Sequence, residues 1–186
     1  LAGGRRDGRP TGTLRQGMAG GHIYDEQPAP AGNIVAVLPG REAALRGQFV
    51  AIGARLASNA VGAATMLELA EAFAKGKSKP RRSILFVLHA GDEQGVLGSR
   101  YFTDNSTVPR DSIVAQINMD MPGRGASPHP PGGVERSIQL VGARRLSTEL
   151  GDLAESVNRG LSMPFTLDYA YDASAHPANV YCRSDQ

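Results

Sequence analysis

The sequence SILFVLHAGDEQGVLGSRYF, residues 83–102, contains the two patterns that decide the fold. Residues 83–88 form a continuous apolar run, which is typical of a strand that is buried on both faces of a sheet. A turn containing glycine and two acids follows, and residues 96–102 then favour a short helix. A buried strand that leads through a polar turn into a helix is a building unit of α/β proteins.

The same organisation extends to both sides of this stretch. Further apolar runs predict strands at 34–38, 49–54, 113–121 and 138–141, and helical spacing predicts helices at 62–75 and from about 145 to 159. No internal repeat is visible. Because continuous apolar strands alternate with helices, we expect an α/β fold with a mostly parallel, mixed central sheet and helices on both faces.

Residues 1–32 have a different composition from the rest of the chain. Residues 1–21 contain seven glycines and four arginines but hardly any large apolar side chain. Such a segment can bury too little surface to offset the entropy lost on ordering. We therefore expect a Gly/Arg-rich extended arm and linker over 1–32 that packs little against a single domain formed by 33–186.

Length and composition exclude several classes of protein. The 186 residues fit one domain, and 41% hydrophobic residues are too many for a disordered chain. A net charge of +2 gives no reason to expect nucleic acid or a charged membrane as a partner. One cysteine excludes an internal disulfide, and no apolar run is long enough to span a membrane. The first residues lack an apolar core, so we expect no signal peptide.

Three acids lie where the chemistry of an α/β sheet is expected, at the carboxyl ends of strands. Asp92 and Glu93 follow the strand at 83–88, and Asp120 lies near the end of the strand at 113–121. Adjacent carboxylates can bind a metal ion or hold a proton, although they also suit the N-terminus of the following helix. Asp120 interrupts an apolar run and therefore needs a charge, a metal ion or several donors beside it.

These residues resemble the co-catalytic di-zinc aminopeptidase family, the zinc exopeptidases that include leucyl aminopeptidases and glutaminyl cyclases. The matching segments are TMLELAEAF, RRSILFVLHAGDEQGVLGSRYF and IVAQINMDMPGR, and the similarity continues in order over most of 33–186. The resemblance implies a zinc-exopeptidase-like α/β fold, a peptide substrate, two zinc ions and a secreted or periplasmic location.

The resemblance also implies roles for the three acids. Asp92 matches the general base that activates a zinc-bound water, although the family usually has the longer glutamate there. Glu93 and Asp120 match zinc ligands. A base displaced by about an ångström can lose on the order of 10²-fold in rate, so the shorter acid alone implies weaker catalysis.

Three further ligand positions of the family do not match. Arg55 stands in place of a histidine ligand, Ser58 in place of the bridging aspartate, and Gln186 in place of the last histidine. Two of five ligands therefore remain, and Arg55 places a permanent cation where a metal ion would bind. His89, at the end of a strand, is more typical of a packed histidine than of a replacement ligand.

The sequence leaves alternative functions open. The first is removal of N-terminal residues from peptides, impaired in this chain by the lost ligands. The second is a catalytically inactive remnant or interaction module that keeps the fold. Glutaminyl cyclase activity is a third possibility, disfavoured because no Trp is present. Family members continue beyond the position of Gln186, so we also expect an incomplete sheet that an oligomer or another partner covers.

Overall fold

The computed structural model describes the residues 4–6, 9–13, 18–19, 22–23, 28–30, 32–56, 60–77, 79–91, 95–123, 136–145, 147–172, 177 and 179–182. The chain divides into two compact units. The N-terminal unit comprises Leu1–Pro122 together with Asp185–Gln186, and the C-terminal unit comprises Gly123–Ser184. All three acids predicted as site residues belong to the N-terminal unit.

The first part of the N-terminal unit contains five short strands: β1 (Gly4–Arg6), β2 (Arg9–Thr13), β3 (Met18–Ala19), β4 (His22–Ile23) and β5 (Pro28–Pro30). Strands β1, β2 and β5 form one antiparallel sheet, and β3 pairs with β4 in another. The sequence predicts an extended arm here and does not predict that its segments pair with one another. The strands differ from that expectation because extended segments can satisfy each other's backbone hydrogen bonds without a large apolar face. The domain boundary near residue 32 stays a prediction.

The central sheet has four strands: β6 (Ile34–Leu38), β7 (Phe49–Arg55), β8 (Ser83–His89) and β9 (Ile113–Met119). They lie in the order β6-β8-β7-β9. Strand β7 is parallel to both β8 and β9, while β6 runs antiparallel to β8. This confirms the predicted mixed, mostly parallel sheet. Strand β9 ends before Asp120, because Met121 adopts a left-handed φ of 49° and Pro122 follows it.

Two helices cover this sheet, α1 (Ala60–Lys75) and α2 (Leu97–Asp104). Successive side chains of a strand point to opposite faces. Ile52 of β7 packs in a buried cluster with Met66 of α1, whereas its neighbour Ala51 packs in a second cluster with Phe102 of α2. The helices therefore lie on both faces, as predicted. Within the part of the chain that the structure describes, no helix combines the length and apolar character needed to cross a bilayer.

The strand order gives the sheet a topological switch point. Helix α1 connects β7 to its neighbour β8. Helix α2 then connects β8 to β9, which is the neighbour of β7 on its other side. Because crossovers between parallel strands are right-handed, connections in opposite directions place their helices on opposite faces. The carboxyl ends of β7 and β8 consequently border a crevice, which is where open α/β sheets bind ligands.

The C-terminal unit contains β10 (Ser137–Gln139), α3 (Thr148–Arg159) and β11 (Thr166–Asp168), with β10 and β11 paired in parallel. The helix starts later than predicted because the Ser147 side chain accepts a hydrogen bond from the Leu150 N–H at 3.2 Å and so caps it. The sequence does not predict β11, since three residues are too few for a periodic signal. Single 3₁₀ turns occupy Ala170–Asp172 and Val180–Cys182 of this unit, and Arg110–Ser112 of the N-terminal unit.

Candidate functional site

The carboxyl ends of three neighbouring strands bring charged residues together. Strand β7 ends at Arg55, which lies opposite His89 at the end of β8. On the other side of β7, strand β9 ends at Met119 and Asp120 follows directly. The sheet therefore places Asp120 beside Arg55, at the edge where sequence analysis expects the site.

Arg55 and Asp120 form an ion pair. The Arg55 Nη2 atom lies 3.3 Å from the Asp120 Oδ2 atom, and the two side chains are only 16% and 30% exposed. Such partly buried charges are screened less than a pair that is fully in water. The carboxylate that was expected to require a charge beside it is thus matched by a permanent cation.

A polar layer lies next to this pair, over Gly53 of β7. A Cβ atom on Gly53 would lie 2.8 Å from the Asn118 Oδ1 atom and 3.2 Å from the His89 Nε2 atom, so only glycine leaves room for both. His89 is 3% exposed, and its ring meets the Phe102 ring edge-on with centroids 6.0 Å apart. The structure thus shows His89 as a packed side chain of this face.

Asn33 forms hydrogen bonds at both ends of the segment between β8 and α2. The Ala90 N–H donates to Asn33 Oδ1 at 3.0 Å, and Asn33 Nδ2 donates to the Gly98 carbonyl at 2.8 Å. The Leu97 N–H also donates to the Gly91 carbonyl, at 3.3 Å. Sequence analysis missed Asn33 because it lies 65 residues from Gly98 and no local pattern marks it.

Asp92 and Glu93 lie outside the described residues, as do residues 57–59 and 183–186 that correspond to lost ligands of the family. The structure therefore brings Asp120 to the predicted edge, and the approach of Asp92 and Glu93 to Asp120 stays a prediction.

Backbone strain accompanies both acid-bearing segments. Val96, which precedes α2, has a φ of 53°, and Met121, which follows Asp120, has a φ of 49°. Left-handed backbone is unusual for any residue with a side chain and most unfavourable for a β-branched one. Each such residue costs on the order of 1–3 kcal/mol, and such residues cluster at functional sites. Asn179 of the C-terminal unit has the same backbone conformation, with a φ of 45°, so the strain agrees with a site at this edge but does not mark it by itself.

Comparison with known families identifies the family of this chain. The sequence model of Peptidase family M28 matches residues 50–175, more than half of the chain. The chain belongs to Peptidase family M28. The match includes strands β7, β8 and β9 with the loops that follow them, and the family is the one that the sequence resemblance indicated.

Solved structures agree with this assignment of the fold. A Peptidase M28 precursor from Shewanella amazonensis superposes with a TM-score of 0.53 at 19% identity, covering 87% of this chain and 35% of its own. LapA from Legionella superposes with a TM-score of 0.50 at 21% identity, covering 86% of this chain and 42% of its own. The M28-type α/β fold is thereby confirmed.

Two fungal proteins are similar in sequence. Proteins named "Probable zinc metalloprotease" from Pyrenophora tritici-repentis and Pyrenophora teres f. teres are each 40% identical to this chain over 65 residues. The match covers 35% of this chain and 14% of each relative. The chain thus matches about one-seventh of the length of these curated relatives.

Family membership and the names of these relatives imply zinc as the cofactor. The described residues do not fit a zinc ion at Asp120 as they stand. Arg55 has no lone pair to donate, and two unit charges 4 Å apart interact by about 4 kcal/mol at an effective dielectric constant of 20. Among the residues that the structure describes, no three His, Cys, Asp or Glu side chains come together in a possible metal-binding group.

Proposed function

We propose that the protein is a peptide hydrolase of the metallo-aminopeptidase type, which removes N-terminal residues from peptides, and that its site is impaired in this chain. The proposal rests on one observation. The M28 match covers the strands whose carboxyl ends meet at the switch point, and Asp120 lies at that edge in an ion pair with Arg55.

The roles of the three acids are part of this proposal. Asp92 is the general base that accepts a proton from the attacking water, and Glu93 and Asp120 are the retained metal-binding acids. The left-handed backbone at Val96 and Met121, beside both acid-bearing segments, supports their assignment to one site. The word "precursor" in the name of the Shewanella relative supports a secreted or periplasmic location.

A second candidate function is a non-catalytic interaction module that keeps the M28 fold. The Arg55–Asp120 ion pair favours it, because the carboxylate is neutralised without a metal ion. The two functions differ in one measurable property. An impaired hydrolase regains activity when its missing metal ligands are restored by mutation. A module that serves another purpose stays inactive, because other residues needed for catalysis are lost as well.

The decisive experiment measures turnover of an aminoacyl chromogenic substrate, with added zinc and with a chelator. We expect the unmodified chain to hydrolyse it no faster than the chelator-treated sample. The triple variant Arg55→His, Ser58→Asp, Gln186→His should gain zinc-dependent turnover. Adding Asp92→Asn to this triple variant is the matched control, and it should abolish the gain because the base is removed.

The remaining outcomes separate the two functions. Robust, chelator-sensitive turnover by the unmodified chain would contradict impairment while supporting hydrolysis. A folded triple variant that binds zinc but shows no turnover would favour the interaction module.

A further inference from the structure

The position of Arg55 is set by an inner strand of the sheet. Strand β7 lies between β8 and β9, and Arg55 is paired in register with His89. The next residue, Leu56, donates its N–H to the His89 carbonyl at 2.8 Å, so the pairing with β8 continues past Arg55. The backbone that carries the guanidinium is therefore held by β8, while the pairing of β7 with β9 extends to the preceding residue, Ala54.

The Asp120 carboxylate lies within ion-pairing distance of the guanidinium, with its Oδ2 atom 3.3 Å from Nη2. On the same face, Gly53 contributes no side chain, and polar atoms of His89 and Asn118 fill the space above it. A guanidinium stays protonated at any pH at which proteins fold, and it offers donors but no lone pair. It can therefore neutralise Asp120 permanently but cannot join a metal shell.

We propose that Arg55 is a resident counter-cation that takes the place of a metal ion at Asp120, so that the charge of Asp120 is balanced and the end of β7 folds without zinc. The pair connects the end of β7 to the residue after β9. This inference goes beyond the proposed function, because it concerns metal binding and stability, and it applies both to the impaired hydrolase and to the interaction module.

The test measures zinc content by elemental analysis and thermal unfolding, with and without zinc or chelator, on the full chain. The unmodified protein should carry no stoichiometric zinc, and neither addition should move its unfolding temperature. Arg55→Gln removes the cation while keeping a hydrogen-bonding side chain. We expect this variant to unfold at a lower temperature and to bind zinc about tenfold or more tightly, because the like-charge repulsion is gone.

Three further variants identify the cause of any change. Arg55→Lys keeps the charge and should gain no zinc affinity. Arg81→Gln removes a surface arginine paired with Glu42 on another part of the unit and should also leave zinc affinity unchanged. In the double variant Arg55→Gln, Asp120→Asn, the gain in zinc affinity should disappear, because the carboxylate that Arg55 had neutralised is removed.

Two results would overturn the inference. One is stoichiometric zinc in the unmodified protein together with a chelator-induced fall in its unfolding temperature. The other is Arg55→Gln with unchanged stability and zinc affinity. If Arg55→Gln fails to fold, the chelator experiment on the unmodified protein and on Arg55→Lys still tests whether the fold depends on zinc. None of these measurements depends on turnover, so a failure here is distinct from a failure of the proposed hydrolase.

Discussion

At the scale of single residues, Gly98 shows how closely α2 approaches the end of β8. Gly98 is the second residue of α2 and is buried. A Cβ atom on it would collide with the Ala90 carbonyl oxygen and with Asn33 Oδ1, and would lie 2.6 Å from the Ala90 nitrogen. The helix can approach the end of β8 this closely only because the side chain is absent, and Asn33 can bridge the two only at that distance.

We predict that Gly98→Ala lowers the free energy of unfolding by about 1–3 kcal/mol or more, since backbone atoms cannot yield as a flexible side chain can. Gly62→Ala is the matched control in α1. Its Cβ would lie 3.5 Å from the Ala54 Cβ atom, an ordinary contact. That change should raise stability by up to about 1 kcal/mol, the helix preference of alanine over glycine. Urea unfolding followed by circular dichroism measures both, and changes of the same sign and size would contradict the argument.

At the scale of elements, α3 is held within the C-terminal unit by a charged network. Arg144 donates to Asp152 at 2.7 Å and to Glu155 at 2.6 Å, and the Tyr169 hydroxyl donates to Glu155 at 2.8 Å. The hydrogen bond from Arg144, followed by that from Tyr169, lowers the pKa of Glu155 below its ordinary value of 4.5. Burial of the Tyr169 hydroxyl and its bond to Glu155 raise the Tyr169 pKa. One helix face thus carries a network of directed bonds.

This network makes a pH-dependent contribution to stability. Because the folded pKa of Glu155 is depressed, its contribution is present above pH 4.5 and is lost as the pH falls through the lower folded pKa. Glu155→Gln should therefore lower the unfolding temperature by a few degrees at neutral pH, and the difference from the unmodified protein should shrink in acid. Thermal scans between neutral pH and pH 3 check this. Glu149→Gln, on the same helix, should show a smaller difference; a gap for Glu155→Gln that widens in acid would refute the assignment.

At the scale of the whole molecule, β8 is the centre of the larger unit. All seven residues of β8 are buried, and Leu85 is fully enclosed in the cluster that Phe102 of α2 completes. The two outer strands differ from β8, since Ile34 of β6 is 54% exposed and Ile117 of β9 is 50% exposed. Both outer strands of the described sheet thus carry exposed apolar side chains, and the oligomer or partner expected to cover them stays a prediction.

The central position of β8 leads to a stability prediction. Leu85→Ala should lower the free energy of unfolding by about 2–5 kcal/mol, because it leaves a cavity that neighbours cannot close. Leu67→Ala on α1, where the side chain is 65% exposed, should change it by no more than about 0.5 kcal/mol. The comparison uses urea unfolding of both variants. Similar costs for the two would mean that β8 is not the centre of a rigid core.

The types and approximate bounds of the main elements followed from the sequence by itself, because their signals are local. Strand β6 was expected at 34–38 and occupies Ile34–Leu38, and α1 begins within two residues of its expected start. Continuous apolar runs and helical spacing reflect burial along one element and need no knowledge of its neighbours. The resemblance likewise pointed to the peptidase family and to Asp120 as an acid at a strand end.

Only the tertiary structure decided what these residues face. That Arg55 pairs with Asp120 depends on β9 lying next to β7, an order that no single segment encodes. Asn33 forms a hydrogen bond with Gly98, which is distant in sequence. Gly53 leaves room for the side chains of His89 and Asn118, which lie on the strands to either side of it. The short strands β1–β5 and β11 also escaped sequence analysis, because their stability comes from pairing rather than from an apolar pattern. Local periodicity records which side of an element is buried, whereas the partner of a charge is set by long-range contacts.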